Sequence, residues 1–373
     1  MREYRLLNNN WKFTYGDKVG ASPDEINRWQ DIGLPHSFGI PYFMEKEFYV
    51  GYGTYSTWIS LAEEDCKKRL RLEFLGVFQK ARVYLNGEKV GEHRGGYTPF
   101  LVELTNVARP GKNHLIVSVD NLWDARLAPR AGEHQFNGGI YRDVQLILTE
   151  FCGIDEYGVF VQTTKLEREN EDPNGWNATV KIETQVFEQR SQIDEPLFLE
   201  TCILDGETVL AKEISRINMK TEGEIDSEKK DRNSTSSLNS KTITQQISLS
   251  GIQPWSPNSP KLYTVVSRVS YNGILVDCVL TKFGIRTVRF DKDNGFFLNG
   301  EHFAILGANV HQDHAGWADA VTRAGIQRDI RMIKECGMNT IRGSHYSISL
   351  ITFFPNKPGI GDSIPICLGC CCS

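Results

Sequence analysis

Long apolar runs are missing from this chain. No segment approaches the roughly 18 consecutive apolar residues that a membrane helix needs, so no helical membrane span is expected. The opening stretch, Met1-Arg2-Glu3-Tyr4-Arg5 followed by Asn8-Asn9-Asn10-Trp11, lacks the apolar h-region of a signal peptide. The chain as given therefore reads as cytoplasmic, or as periplasmic or secreted if a leader was removed. A strong charge of one sign is lacking too. The formal net charge is only −5, which gives no electrostatic reason to expect nucleic acid or an anionic membrane as partner. A matched set of cysteine pairs is absent as well. Cys66, Cys152, Cys202, Cys278 and Cys336 are scattered and odd in number, which suits reduced, mostly buried thiols. Cys367, Cys370, Cys371 and Cys372 crowd the far end, but no second ligand pair stands at a matching spacing, so no metal site is expected.

What remains is ordinary globular composition. The chain has 373 residues, 40% apolar and 24% charged, enough for two to three domains with buried cores. From about Trp11 to Thr149, short strand-like runs alternate with turn signals, and helical periodicity is nearly absent. Arg69-Leu70-Arg71-Leu72-Glu73-Phe74 alternates as a half-buried strand must. Ala81-Arg82-Val83-Tyr84-Leu85 alternates again, and Asn86-Gly87 supplies the positive-φ pair that a two-residue hairpin prefers. Leu115 to Val119 follows the turn Pro110-Gly111-Lys112-Asn113. Strands at this spacing argue for a β-sandwich of the jelly-roll kind over residues 1–150.

The strand pattern resumes over 151–287, with Ala178 to Thr184 and Leu262 to Val266 alternating, which fits a smaller immunoglobulin-like sandwich. Inside it, Glu222 to Lys241 has almost no apolar content and is expected to be a mobile loop. The sequons at Asn177 and Asn233 read as chance matches in a chain without a leader. After Arg286 the pattern becomes strand, helix, strand. Phe303 to Ala308 is a near-continuous apolar run, as in a strand buried on both faces. Ile326, Ile330, Ile333 and Gly337 form one stripe of a helix, and Thr340-Ile341-Arg342 begins the next strand. A strand, crossover helix and parallel strand is how a (β/α)8 barrel begins, here over residues 288–346.

These segments resemble glycoside hydrolase family 2, whose members include β-galactosidases, β-glucuronidases and β-mannosidases. Asn339-Thr340-Ile341-Arg342-Gly343-Ser344-His345-Tyr346 is similar to the family signature at the second barrel strand. Gly295 to Gly300 resembles the family's entry to the barrel, and Gly307-Ala308-Asn309-Val310-His311-Gln312-Asp313-His314 its first-strand loop. Phe283-Gly284-Ile285-Arg286 resembles the motif that closes the immunoglobulin-like domain. In the first domain, Leu34-Pro35-His36-Ser37-Phe38, Val83 to Gly87, Gly95 to Phe100 and Gly138 to Val144 resemble segments of the family's sugar-binding-type sandwich. The resemblance spans roughly residues 10 to 346 in the right order.

The resemblance implies hydrolysis of terminal β-galactosides, or related β-glycosides, by a retaining mechanism, with no redox cofactor and with magnesium or sodium in some galactosidases. A carbohydrate is the implied partner, and the full-length parent is open to homo-oligomerisation. Retaining glycosidases use two carboxyl groups about 5–5.5 Å apart, and the resemblance places both glutamates on later barrel strands. A complete barrel takes about 250 residues, far more than the stretch from Phe290 to Tyr346 supplies. The chain alone is therefore expected to be inactive, with no catalytic residue assigned. The resemblance implies that His311 and His345 contact sugar hydroxyls. It also implies that Arg342 holds the geometry of the nucleophile through charge-assisted hydrogen bonds. Asp313 is a weaker candidate for a hydroxyl contact. Asn137, before Gly138-Gly139, is either a turn residue or a substrate contact.

Residues 347–373 depart from the family pattern. Ser347 stands where the family has proline, and Pro355, Pro358, Pro365, several glycines and the cysteine cluster follow, with Asp362 as the one acidic residue. Such a stretch suits neither an amphipathic helix nor an alternating strand, and a reading-frame shift near position 347 is the expectation. With the barrel incomplete, Phe303 to Ala308 and the isoleucine stripe should be exposed, favouring aggregation. A rival reading is a non-catalytic carbohydrate-binding or structural protein, in which exposed aromatics such as Trp58, Tyr97 or Trp123 stack on sugar rings.

Overall fold

The computed structural model describes residues 1–20, 29–38, 49–127, 137–169, 175–189, 195–219, 239–311 and 313–343, and the backbone of 366–368. Strands dominate. The described chain forms two compact units, one of residues 1–2 and 149–305, the other of residues 3–148 with the segment from Leu306 onward.

The larger sandwich is built from two antiparallel sheets. One contains, in order, Glu3–Leu6, Val144–Thr149, Arg69–Phe74 and Phe100–Glu103. The other runs Gln30–Ile32, Trp11–Tyr15, Tyr52–Leu61, Gly111–Asp120, Lys80–Leu85 and Glu88–Arg94. Alternate residues of both sheets meet between them in a core of Trp11, Phe13, Tyr55, Leu72, Phe74, Val83, Val117 and Leu146. Asn86 (φ 53°) and Gly87 (φ 88°) make the hairpin turn with two positive φ values that the sequence requires. The Arg69–Phe74 strand departs from expectation, because all six of its residues are buried, not every second one. Alternation correctly separates its two faces, but the polar face is covered as well. Arg69 Nε donates to Glu103 Oε2 at 3.0 Å, and Gln145 donates to Glu73, so these buried charges keep polar partners.

The second sandwich packs the sheet Cys152–Arg168, Trp176–Glu188, Asn239–Ile252 and the sheet Thr208–Ile217, Leu197–Asp205, Tyr263–Tyr271, Ile274–Phe283. Its core includes Val180, Ile182, Ile203, Tyr263 and Val265 in one cluster and Ile154, Val186, Leu199 and Val269 in another. Of the expected loop at 222–241, residues 222–238 lie outside the described residues, and Asn239 to Lys241 already belong to a strand. Asn177 sits within a strand, and Asn233 lies outside the described residues. The Phe283-Gly284-Ile285-Arg286 motif has a packing reason. A Cβ on Gly284 would lie 2.8 Å from Trp255, whose ring also carries the Arg286 guanidinium at 4.5 Å from its centroid. A short meander, Val288–Asp291, Gly295–Leu298 and Glu301–His302, belongs to this unit.

The barrel start is a parallel sheet of Gly307–Val310, Thr340–Gly343 and Ile366–Leu368. Helix Arg323–Glu335 crosses between the first two, capped where Thr322 Oγ1 accepts from Gly325 N at 3.3 Å. The expected strand over Phe303 to Ala308 is displaced: pairing begins at Gly307, and Ile305 and Leu306 are exposed. Apolar content alone does not set where a ladder begins. Here Asn339 Oδ1 accepts from Leu306 N at 3.0 Å and takes the place of a ladder partner. The helix stripe Ile326, Ile330 and Ile333 is half-buried, and Gly325 is the helix residue that is buried. In the 347–373 tail, the Ile366–Leu368 strand is a departure from expectation, and the rest lies outside the described residues. Cys66, Cys152, Cys202, Cys278 and Cys336 are unpaired thiols. No helix among the described residues is long and apolar enough to cross a membrane.

Candidate functional site

In parallel barrels, ligands meet the carboxyl ends of the strands, and two such ends are described here. Gly307–Val310 delivers His311 and Asp313, both exposed, just past its last residue. The register pairs Asn309 with Arg342 and Val310 with Gly343. Arg342 Nη1 donates to Asn309 Oδ1 at 3.2 Å across that pair. The sheet therefore brings Arg342 and His311 to the same end of neighbouring strands, where a guanidinium and an imidazole can address sugar hydroxyls or a carboxylate. His345 lies outside the described residues. Asp313 is the one carboxylate that these described strand ends present.

The first-strand loop is fastened at several points. His314 Nε2 accepts from Arg328 on the helix, which leaves Nδ1–H to donate to the Ala315 carbonyl at 2.9 Å. Its ring stacks on Trp317 with centroids 5.1 Å apart. Ala318 and Asp319 are buried, and Ala320 packs with Phe78 and Tyr141 of the larger sandwich, with Tyr97 against them. The segment that carries His311 and Asp313 is thus pinned to the jelly-roll domain. Asn309 and His314 were not singled out from the sequence. The signal for Asn309 is its register opposite Arg342, which only the paired strands reveal.

Asn137 is positioned by the Leu34-Pro35-His36-Ser37-Phe38 motif. His36 N donates to Ile140 O at 2.8 Å, Phe38 N to Gly138 O at 2.7 Å and Ser37 Oγ to Gly138 O at 3.2 Å. Two glycines are needed for this close approach: a Cβ on Gly138 would fall 2.3 Å from Phe38, and one on Gly139, at φ +129°, 2.6 Å from His36 O. Asn137 itself is 3% exposed, and neither its Oδ1 nor its Nδ2 has a hydrogen-bond partner among the described residues. The structure therefore does not join Asn137 to His311, Asp313 or Arg342. An unpaired buried amide is costly. Gly139→Ala is expected to cost about 1–3 kcal/mol through overpacking, read as a lower urea midpoint. An unchanged midpoint would mean that the backbone contact is dispensable.

Beneath this motif, His36 Nδ1 lies 2.8 Å from Tyr55 Oη, which accepts from Ile140 N at 3.3 Å. The phenol proton is thus directed to His36, and burial pushes the His36 imidazole down to about 4. Among the described residues no group of three or more His, Cys, Asp or Glu converges as a metal site would require.

Comparison with known proteins agrees with the fold. Family models describing glycosyl hydrolases family 2 match in order: the sugar-binding domain over residues 40–150, the central domain over 159–286 and the TIM barrel domain over 289–352. A β-glucuronidase of Bacteroides fragilis is 29% identical over 351 residues, 92% of this chain and 46% of the relative. A β-galactosidase of Thermoanaerobacter pseudethanolicus is 30% identical over 349 residues, 91% of this chain and 42% of the relative. The crystal structure of a Bacteroides uniformis β-glucuronidase superposes with a TM-score of 0.81 at 28% identity, covering 96% of this chain and 44% of that one. The chain thus spans less than half the length of these relatives.

Proposed function

The chain belongs to glycosyl hydrolase family 2, and from that premise we propose that it supplies the sandwich domains and one wall of the sugar pocket of a retaining β-glycosidase acting on β-galactosides or β-glucuronides. The observation that carries this reading is the Arg342–Asn309 pair at the carboxyl end of the parallel sheet, with His311 beside it. In that pocket His311 and His345 hydrogen-bond sugar hydroxyls, and Asp313 makes a further hydroxyl contact. Arg342 orients the nucleophilic carboxylate through charge-assisted hydrogen bonds. Asn137, buried with an unsatisfied amide, meets the substrate from the jelly-roll side. The acid/base and nucleophile of a retaining mechanism are a carboxyl pair about 5–5.5 Å apart, and this chain supplies neither.

The test uses p-nitrophenyl β-galactoside and β-glucuronide for turnover, with galactose and glucuronate as binding probes in saturation-transfer NMR. The 373-residue chain is expected to bind one of the sugars and to turn over neither substrate. Arg342→Ala is expected to weaken that binding. Turnover of either substrate by the chain alone would refute the division of labour, and sugar binding indifferent to Arg342 and His311 would refute the pocket.

A further inference from the structure

Asn-Gly pairs recur along the chain, at Asn86, Asn137, Asn174, Asn272, Asn294 and Asn299. The pair suits the tip of a two-residue hairpin, because both residues accept positive φ. It is also chemically vulnerable, since glycine has no side chain to shield its backbone nitrogen from the preceding carboxamide. Attack requires the reacting atoms to come into near contact, so an asparagine tethered elsewhere is protected. Asn174 lies outside the described residues. The other five sit in unlike settings.

Four of them are held or shut away. Asn86 Oδ1 accepts from His114 N at 3.0 Å, and its Nδ2 donates to Asn113 Oδ1 at 2.9 Å. Asn299 Oδ1 accepts from Thr287 N at 3.0 Å, and its Nδ2 donates to the Trp255 carbonyl at 3.0 Å. Asn294 Nδ2 donates to Asp291 Oδ1 at 3.0 Å. Asn137 is buried, and Phe38 crowds the Gly138 that follows it.

Asn272 differs from all four. With Gly273 it forms the hairpin tip between Tyr263–Tyr271 and Ile274–Phe283, at φ 49° and 75°. The ladder closes at the Tyr271–Ile274 pair, so the Gly273 N–H lies outside it. Both tip residues are exposed. Among the described residues the Asn272 carboxamide has no hydrogen-bond partner. A Cβ on Gly273 would meet nothing within 4 Å, so no neighbour obstructs the carboxamide as it turns toward the glycine nitrogen. Asn86-Gly87 and Asn299-Gly300 share the same pair of positive φ values. Backbone shape therefore does not separate these turns; the side-chain tether does.

We propose that Asn272-Gly273 is a site of spontaneous deamidation in the folded chain, with water as the co-reactant. The Gly273 nitrogen attacks Asn272 Cγ. An N–Cγ bond forms, the Cγ–Nδ2 bond breaks, and ammonia leaves with the proton of the Gly273 N–H. Water then opens the cyclic imide at either carbonyl, giving aspartate or an isoaspartyl linkage. One water is consumed, one ammonia is released and the hairpin tip gains a negative charge. The isoaspartyl form also inserts an extra backbone carbon into the turn that sets the register of its two strands. The inference rests on neither Arg342 nor His311.

Peptide mapping by mass spectrometry tests this on the full chain aged in mildly alkaline buffer, with isoaspartate read by enzymatic methylation. An asparagine held by two hydrogen bonds must shed both before it reacts, so Asn272 is expected to convert at least about tenfold faster than Asn86 or Asn299. Asn294, with one tether, and buried Asn137 should also lag behind it. The same chain aged in urea is the control: the rates of all five should converge, because the tethers are gone. Asn272 failing to lead in the folded chain while it converts readily in urea overturns the proposal. So does a ranking of the five that persists unchanged in urea, which would place the cause in local sequence and not in the fold.

Discussion

Replacing Arg2 by alanine is expected to lower the stability of the second sandwich by about 3–5 kcal/mol. The Arg2 side chain is 4% exposed and Asp277 only 1%. Arg2 Nε donates to Asp277 Oδ1 at 3.1 Å, Nη2 to Asp277 Oδ2 at 2.9 Å and Nη1 to Glu156 Oε2 at 2.6 Å, while Nη2 also reaches the Ile154 carbonyl. Asp277 Oδ2 accepts from Ile154 N at 2.8 Å as well. One guanidinium therefore closes a buried network between the Cys152–Arg168 and Ile274–Phe283 strands. Without it, two carboxylates stay in a nearly dry site, with the backbone amides of Ile154 and Cys278 on Asp277 in place of a cation. Hydrogen exchange is the direct readout: protection should drop in those two strands and persist in Tyr52–Leu61 of the other unit. The double variant Arg2→Met, Asp277→Leu should recover much of the loss, because the destabilisation comes from the stranded charge and not from the absent pair. An Arg2→Ala chain with unaltered exchange would show the network to be ornamental.

Acid should loosen the larger sandwich before it loosens the smaller one. In the folded chain His36 takes up its proton only near pH 4, whereas an unfolded histidine does so near 6.5. Between those values the unfolded state binds more protons, so stability rises with pH across the window. The contribution is fully present above about pH 6.5 and is lost as the pH falls to about 4, amounting to roughly 3 kcal/mol in total. Its cause is burial against Phe13 and Tyr55, with ring centroids 4.6 and 5.6 Å away. His93 and His114 are also shifted down by burial and add to the same trend. Urea midpoints at pH 7, 5.5 and 4.5 should fall steadily in the wild type. In His36→Asn, which keeps an acceptor for the Tyr55 hydroxyl, the fall should be visibly shallower. Parallel slopes in the two proteins would remove His36 as the cause.

Much of the fold was legible because its signals are local. The Asn86-Gly87 turn, the alternation in Trp176–Glu188 and the capped, striped helix Arg323–Glu335 each follow from a few neighbouring residues. What escaped depends on partners far away in the chain. Alternation in Arg69–Phe74 does not reveal that the charged face is covered, since Glu103 and Gln145 lie on other strands. An apolar run such as Phe303 to Ala308 does not reveal where its ladder begins, since that is set by Asn339. The site divides in the same way. Arg342 and His311 were named from their motifs, and the structure sets them at the same end of neighbouring strands, but the Asn309 contact needs the inter-strand register, and the fastening by His314 needs the helix to be in place. Asn137 could be named from its glycine pair, yet its buried, unsatisfied amide could not.

The order of the two units along the chain has a kinetic consequence. The smaller sandwich occupies an almost continuous stretch, residues 149–305, while the larger unit must join residues 3–148 to residues after 305. The intervening sandwich is, for the larger unit, an enormous loop. Loop closure grows only slowly more costly, by about 0.6 kcal/mol for each doubling of length, so the finished structure is hardly weakened by it. The search for such distant contacts is slow, however, because contacts remote in sequence form late. The meeting of Ala320 with Phe78 and Tyr141 is such a distant contact, so it and the loop carrying His311 are expected to form late in folding.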